Sequence, residues 1–434
     1  MAPQTGKEKG ALGFNGASAT TIRKQLESDT IQVDDKVYSA KMLAAVHPGG
    51  ELFVKAFAGR DATEAFLSYH RRKFPHDKMI DKQIGGNVSV KSSKDVDNDF
   101  LELCEIIDKV IPRNQTFATA GYFVKITFII AVAFGLEFYM HYTKTYKWYL
   151  TALLGLFMAL IGLNIQHDAN HGAISKYPIV NRIFGLTQNW IGGSAVDWIH
   201  QHVVQHHVNC NDVHEDPDLA GGLVLRLNPL KRVLSVHALQ HIYLFLLLSM
   251  FGFSVVAESF KNVITGYHFT PMSKLIFTNR IFEICTSLFF LARWIYLPYY
   301  QTNNVLTLVE VIPLFVVAGY YLAFFFVISH NFEGVGMYDK SNSSCNESFL
   351  YKQVSTSSNV GGSILCFLNG GLNYQIEHHL FPRISHVHYP KIAPYVKEFC
   401  DKRKIPYRHF PDIQSNVISC VKHMYDMGHG KSEF

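Results

Sequence analysis

Residues 147–171 read KWYLTALLGLFMALIGLNIQHDANH. An apolar run over about 147–165 ends in the cluster Gln166-His167-Asp168-Ala169-Asn170-His171. Roughly 20 mostly apolar residues cross the hydrocarbon core of a bilayer. The run therefore predicts a membrane span with histidines at its end. His167 and His171 are four residues apart, so a helix sets them on one face.

Similar clusters occur at two further places. His202-Val203-Val204-Gln205-His206-His207 again has a pair four apart, His202 and His206, with His207 as an adjacent ligand. Gln375-Ile376-Glu377-His378-His379 lies in the C-terminal part. The three clusters supply seven histidines, far more clustering than chance gives. Neutral imidazole suits iron, zinc and copper alike. Seven ligands exceed the needs of one ion and predict two. The string His-Glu-x-x-His of zinc proteases is absent.

Working outward, further long apolar runs fall at about 119–141, 239–258, 281–300 and 305–328. Charged residues are 17% of the 434, below the roughly 25% of an ordinary soluble chain. The histidine clusters must share one side of the membrane, which requires an even number of crossings. We therefore predict four spans (119–141, 147–165, 281–300, 305–328) and place 239–258 as an interfacial helix. Arg293 and Glu310, at similar depth in the last hairpin, are candidates to pair, since unpaired charges in a bilayer are costly. Lys and Arg concentrate outside the spans on the histidine side, which the positive-inside rule makes cytosolic. A net charge of +5 gives no nucleic-acid signal and fits a protein lying on anionic headgroups. Seven scattered cysteines with no CxxC pair point to a reducing compartment.

A second constellation lies near the N-terminus. His47-Pro48-Gly49-Gly50 is followed by Phe66-Leu67-Ser68-Tyr69-His70. Two neutral imidazoles can ligate a haem iron from both sides, which favours electron transfer. Glycines let the backbone approach a flat cofactor. Leu52, Phe53, Val54, Phe57, Ala62 and Phe66 supply an apolar lining. His76 competes with His70 as the second ligand, and the Ser-Tyr-His context favours His70.

With Gly59-Arg60-Asp61-Ala62-Thr63, this stretch resembles cytochrome b5. The three histidine clusters resemble those of membrane fatty acid desaturases. Gln375 in the third cluster, Gly370-Gly371-Leu372-Asn373-Tyr374, Leu380-Phe381-Pro382 and the fused haem domain resemble the front-end subgroup. The resemblance extends over about residues 20–425. It implies a multi-domain chain. Residues 1–19 are a disordered N-terminus, and 20–86 a small α+β cytochrome b5-like domain. Residues 87–117 are a linker and pre-membrane helix, and 118–434 a mainly α-helical integral membrane di-iron domain with a cytosolic cap.

The resemblance makes His47 and His70 the ligands of haem b. It makes His167, His171, His202, His206, His207, His378 and His379 ligands of two non-haem irons. His330, at the end of the last span, and His241, in Gln240-His241-Ile242-Tyr243, are further candidate ligands. Gln375 is a ligand through its carbonyl, a hydrogen-bond partner or a substrate contact. Acidic residues Glu215, Asp216 and Asp218 are candidates to orient ligand histidines.

The implied reaction uses O2 and two electrons relayed by the haem domain from an NADH-cytochrome b5 reductase. It inserts a cis double bond on the carboxyl side of an existing one in a long-chain polyunsaturated acyl-CoA or acyl-phospholipid. The stretch around His167 favours Δ5 or Δ4 position. The implied location is the endoplasmic reticulum membrane, with termini and metal site cytosolic. Two rivals remain at this point: a fatty-acyl or sphingolipid hydroxylase on the same scaffold, and a membrane-anchored haem electron carrier.

Overall fold

The computed structural model describes residues 26–85, 97–276, 280–341 and 347–431. The expected disordered stretch 1–19 and most of the linker lie outside these residues.

Strands Thr30–Val33 and Lys36–Ser39 form a hairpin, joined by Asp34 and Asp35. Asp34 takes φ of 56°, which a two-residue hairpin turn needs and Asp tolerates. A third antiparallel strand, Gln83–Gly85, joins the far edge of Lys36–Ser39. Ser39 caps the helix Ala40–Val46. Helices Glu51–Ala56 and Thr63–His70 complete the small α+β unit.

The helix Asn98–Val110 follows, capped by Asp97. Its buried residues Phe100, Leu103, Cys104 and Ile107 recur at three- and four-residue spacing and form one apolar face. That face packs into a core with Phe349, Phe381, Tyr389 and Phe399. The expected pre-membrane helix is thus a strut of the cap.

Five helices among the described residues are long and apolar enough to cross a membrane: Arg113–Thr143, Trp148–Asn170, Ser235–Thr265, Arg280–Thr302 and Leu306–His330. Four correspond to the expected spans. The last packs tightly on the second because small residues open the way. A Cβ on Gly155 would strike the backbone of Leu314.

The helix Ser235–Thr265 is the additional one. Gly252 and Gly319 of the last span lie backbone to backbone, with no room for a Cβ on either. Its first end is held by Gln240 to the carbonyl of Met424 (2.9 Å), on the helix Ile413–Gly428. That helix in turn binds the Ile328 carbonyl through Asn416 (2.8 Å), beside His330. Its other end is held by Ser259 and Asn262 to Asp197 (3.0 and 3.2 Å), just ahead of the second histidine cluster.

The pairing of Arg293 with Glu310 is corrected. Arg293 Nε meets Glu137 Oε1 at 2.7 Å, and Trp190 Nε1 donates to Glu137 Oε2 at 3.1 Å. Glu310 Oε2 instead accepts from the Trp148 backbone N–H at 2.5 Å. The helix Ala120–Thr143 brings Glu137 to Arg293 from the far hairpin, a contact 156 residues apart in sequence. Sequence neighbourhood alone does not reveal it.

Candidate metal centre

The second span turns π-helical over Gly162–Gln166 just before the helix His167–Asn170. The second cluster lies in a longer π-helix, Ile199–His206. π-Turns inside helices concentrate at functional sites because they rotate side chains out of α-helical phase. Here they decide which histidines meet. His202 and His206, expected to converge as an i, i+4 pair, do stack with ring centroids 5.5 Å apart but fall in different groups. His202 Nε2 instead lies 3.1 Å from Nε2 of His207, its i+5 neighbour.

Two groups result. His167, His171, His202 and His378 can bring one ligand atom each within 4.8 Å of one another. His207 lies beside them, its Nε2 2.9 Å from that of His378 and 3.1 Å from that of His202. His206, Cys210, His330 and His379 form the second group under the same limit. The adjacent His378 and His379 point to different groups, so the helix Gln375–Leu380 straddles both. His207 stacks on His379 with ring centroids 4.4 Å apart, joining the two.

Gln375 has its amide nitrogen 2.9 Å from His330 Nε2 and 3.4 Å from His379 Nε2, on the second group. Its Oε1 is buried without a partner. Cys210 was not singled out in the sequence, although it stands four residues after His206. His241 is not brought to either group. Its ring packs on Tyr425 at 5.1 Å, on the C-terminal helix.

Surrounding groups fix the rings. His206 Nδ1 contacts Asp216 (3.2 Å) and Asp218 (2.9 Å). His330 Nδ1 donates to the Thr356 carbonyl (3.0 Å), and His379 Nδ1 to Gln353 Oε1 (2.9 Å). His378 Nδ1 meets Tyr389 Oη at 3.3 Å, and His171 Nδ1 meets Tyr69 Oη at 2.7 Å. Anchoring Nδ1 leaves Nε2 directed inward, the usual arrangement of metal-bound imidazole. Of the acidic residues proposed from sequence, Asp216 and Asp218 do this and Glu215 does not.

The donor set fits metal ions. His167 Nδ1 and Nε2, His171 Nε2, His206 Nε2 and Gln375 Oε1 are buried without hydrogen-bond partners. Leaving a buried polar atom unmet costs about 1–3 kcal/mol, so several facing one interior argue for ions there. Burial, aided by neighbouring histidines, holds His171, His202, His207, His378 and His379 well below the ordinary imidazole pKa. They are neutral, which is the ligating form. For His206 burial pulls the same way, but Asp216 and Asp218 outweigh it and raise its pKa.

The N-terminal pair has the same design. His47 Nδ1 donates to the Gly50 carbonyl (2.7 Å) and His70 Nδ1 to the Phe66 carbonyl (3.1 Å). Both Nε2 atoms are left for an iron between rings whose centroids are 5.8 Å apart. Burial lowers both pKa values, that of His70 to about 3. Gly49 leaves space beside the His47 ring, which a Cβ would enter at 2.8 Å. His76 is engaged at both nitrogens, by Tyr38 Oη (2.6 Å) and Asp34 Oδ2 (2.7 Å). That leaves His70 as the partner of His47.

Comparison with known proteins identifies the same two parts of the chain. The family profile described as "Fatty acid desaturase" matches residues 145–411. The "Cytochrome b5-like Heme/Steroid binding domain" profile matches residues 23–89. The chain is 43% identical to an acyl-lipid (7-3)-desaturase of Rebecca salina, over 99% of this chain and 98% of that protein. It is 39% identical to an acyl-lipid (7-3)-desaturase of Diacronema lutheri, over 99% and 97%. A Delta(5) fatty acid desaturase A of Dictyostelium discoideum is 30% identical, over 92% and 90%.

Proposed function

The chain belongs to the fatty acid desaturase family, with a cytochrome b5-like domain fused ahead of it, and from that premise we propose how its residues serve front-end desaturation. The observation that carries the reading is the double group of inward-facing histidines at the ends of apolar helices.

We assign His167, His171, His202, His207 and His378 to hold one iron, and His206, His330 and His379 the other. Cys210 and Gln375 stand at the edge of the second. The bound iron pair supplies the O2-dependent oxidation that an unactivated C–H bond requires, and haem b, between His47 and His70, supplies single electrons. The chain's own part is positional. Asp216, Asp218, Gln353, Thr356 and Tyr389 lock the imidazoles. Trp198 packs on His202 at 4.4 Å and covers His167 and His171, keeping water from the first group. His241 drops out of the ligand set.

The substrate is a long polyunsaturated acyl chain. The two relatives of highest identity quoted above are named acyl-lipid (7-3)-desaturases. We read that name as insertion three carbons toward the carboxyl end from a double bond at carbon 7. It favours Δ4 over Δ5 and a lipid-bound acyl carrier. The electron donor to the haem is an NADH-linked cytochrome b5 reductase. The protein resides in the endoplasmic reticulum membrane with its metal site cytosolic. Four spans cross, and Ser235–Thr265 dips in from the metal face. In support, both ends of that helix are tied to segments carrying His330 and the second cluster.

Expression in yeast with eighteen-, twenty- and twenty-two-carbon polyunsaturated acids, fed singly, tests the reading. Gas chromatography–mass spectrometry should show a new double bond at carbon 4 of a substrate unsaturated at carbon 7. A hydroxylated product would move the chain to the hydroxylase class. A product only at carbon 5 would overturn the Δ4 assignment.

A further inference from the structure

The haem unit is seated directly on the metal centre. Arg60 donates to Thr270 Oγ1 (2.9 Å) and to the Pro271 carbonyl (2.7 Å). Glu64 is held by Lys340 (3.1 Å) and Lys352 (2.7 Å). Phe57 and Ala62 share a core with Val196, Ile199 and Val203 of the second histidine segment. Phe53 packs on Tyr69 with centroids 5.6 Å apart and lies against Gly172.

At the centre of this seam, Tyr69 Oη lies 2.7 Å from His171 Nδ1. Tyr69 is covalently next to His70, whose Nε2 is free for haem. His171 Nε2 is buried without a partner and faces the first histidine group. With Nε2 committed to a metal, the ring proton of neutral His171 sits on Nδ1. It is donated to the tyrosine oxygen. The anchored Nδ1 atoms of His206, His330, His378 and His379 are held by Asp216, Asp218, Thr356, Tyr389 and Gln353, all from the desaturase part. For His171 the anchor comes from the haem unit.

We propose that Tyr69 is the coupling residue between the two cofactors: it orients His171 from the haem side and completes the bonded route by which electrons pass from haem to metal centre. The route runs from His70 through one peptide linkage to Tyr69, along its side chain, across one hydrogen bond and through the His171 ring. It contains no through-space jump. Each passage oxidises the haem iron by one electron and reduces the metal centre by one. Two passages per turnover, drawn from the external reductase, join the two hydrogen atoms (two electrons and two protons) taken from the acyl C–H bonds. Together with two protons from solvent, they convert one O2 to two waters. The role rests on the desaturase reading above.

The test uses purified full-length holoenzyme. The haem is reduced anaerobically with the metal centre loaded, then mixed with O2 and acyl substrate. Haem reoxidation is followed by stopped-flow absorbance, with haem and iron per chain measured on the same sample. Tyr69→Phe removes one hydroxyl. It should keep haem and iron at wild-type content and slow substrate-dependent reoxidation about tenfold or more. The Mössbauer spectrum of the metal centre should also shift, because a hydrogen bond to a ligand imidazole alters its donor strength. Arg60→Ala loosens the rim of the same seam and leaves the Tyr69 contact, so it should reoxidise within about twofold of wild type. A wild-type rate in Tyr69→Phe overturns the proposal, as does an equal slowing in Arg60→Ala. Slowing accompanied by iron loss would reduce Tyr69 to structural support and also overturn it. Absence of substrate-dependent reoxidation in the wild type would overturn the desaturase reading itself.

Discussion

Replacing Gln353 with Leu isolates the value of a residue that anchors a ligand without touching the ion. Gln353 is buried. Its Oε1 accepts from His379 Nδ1 at 2.9 Å and its Nε2 donates to the His207 carbonyl at 2.8 Å. One side chain thus steadies both groups of histidines, which stack through His207 and His379. Leucine nearly fills the volume but leaves two buried polar atoms unmet. At about 1–3 kcal/mol each, the fold should lose about 2–6 kcal/mol. Loss of an orienting partner also lowers metal affinity by about 10–100-fold. Iron per chain, measured by mass spectrometry after dialysis against a chelator series, should fall from two toward one, with haem per chain unchanged. Gln353→Glu keeps an acceptor for His379 and should retain more iron than Gln353→Leu. If Gln353→Leu held both irons across the same chelator series, the idea that this amide secures the ligand would be refuted.

His202→Ala or His378→Ala should abolish product while the haem spectrum survives, and His47→Ala should lose haem while iron content stays. Product formation by His47→Ala at the wild-type rate would show that the fused domain is not the essential donor. Arg293→Met strands Glu137 in the helix bundle and should cost about 3–5 kcal/mol, read as thermal unfolding in detergent. Arg293→Met with Glu137→Leu should recover most of that loss, and equal stability of single and double variants would sink the pairing. The seam should also be acid-sensitive through Glu64. Burial opposes its ionisation, but Lys340 and Lys352 dominate and lower its pKa from 4.5 to about 2. Its contribution is full above about pH 4.5 and is lost as pH falls toward 2. Cross-linking between the haem unit and the desaturase part should fade over that window in wild type and not in Glu64→Gln.

Chemistry that depends on local spacing was readable directly. His47-Pro48-Gly49-Gly50 with His70 marks the haem pair, because short helices and a glycine turn set both rings within one small unit. His167 and His171 share a face because four residues make about one helical turn. The apolar runs mark membrane helices because length and composition are local properties. The sequence also places His330 at a helix end, on the side of the other clusters.

Which histidines stand together was not readable. The π-helix Ile199–His206 pairs His202 with His207 and sends His206 to the other group. An insertion of this kind carries no residue signature of its own. His207 meets His378 across 171 residues, Arg293 finds Glu137 across 156, and Tyr69 finds His171 across 102. These contacts depend on how helices cross and where the haem unit settles, which packing of whole surfaces decides. The chain by itself therefore determined the cofactors, the family chemistry and most of the histidines that the fold brings together. Only the tertiary structure sorted those histidines into two groups, set His241 against Tyr425 and apart from both, and placed a tyrosine of the haem unit against one of them. Ligand identity is written residue by residue, whereas coordination is a property of distances between segments far apart in the chain.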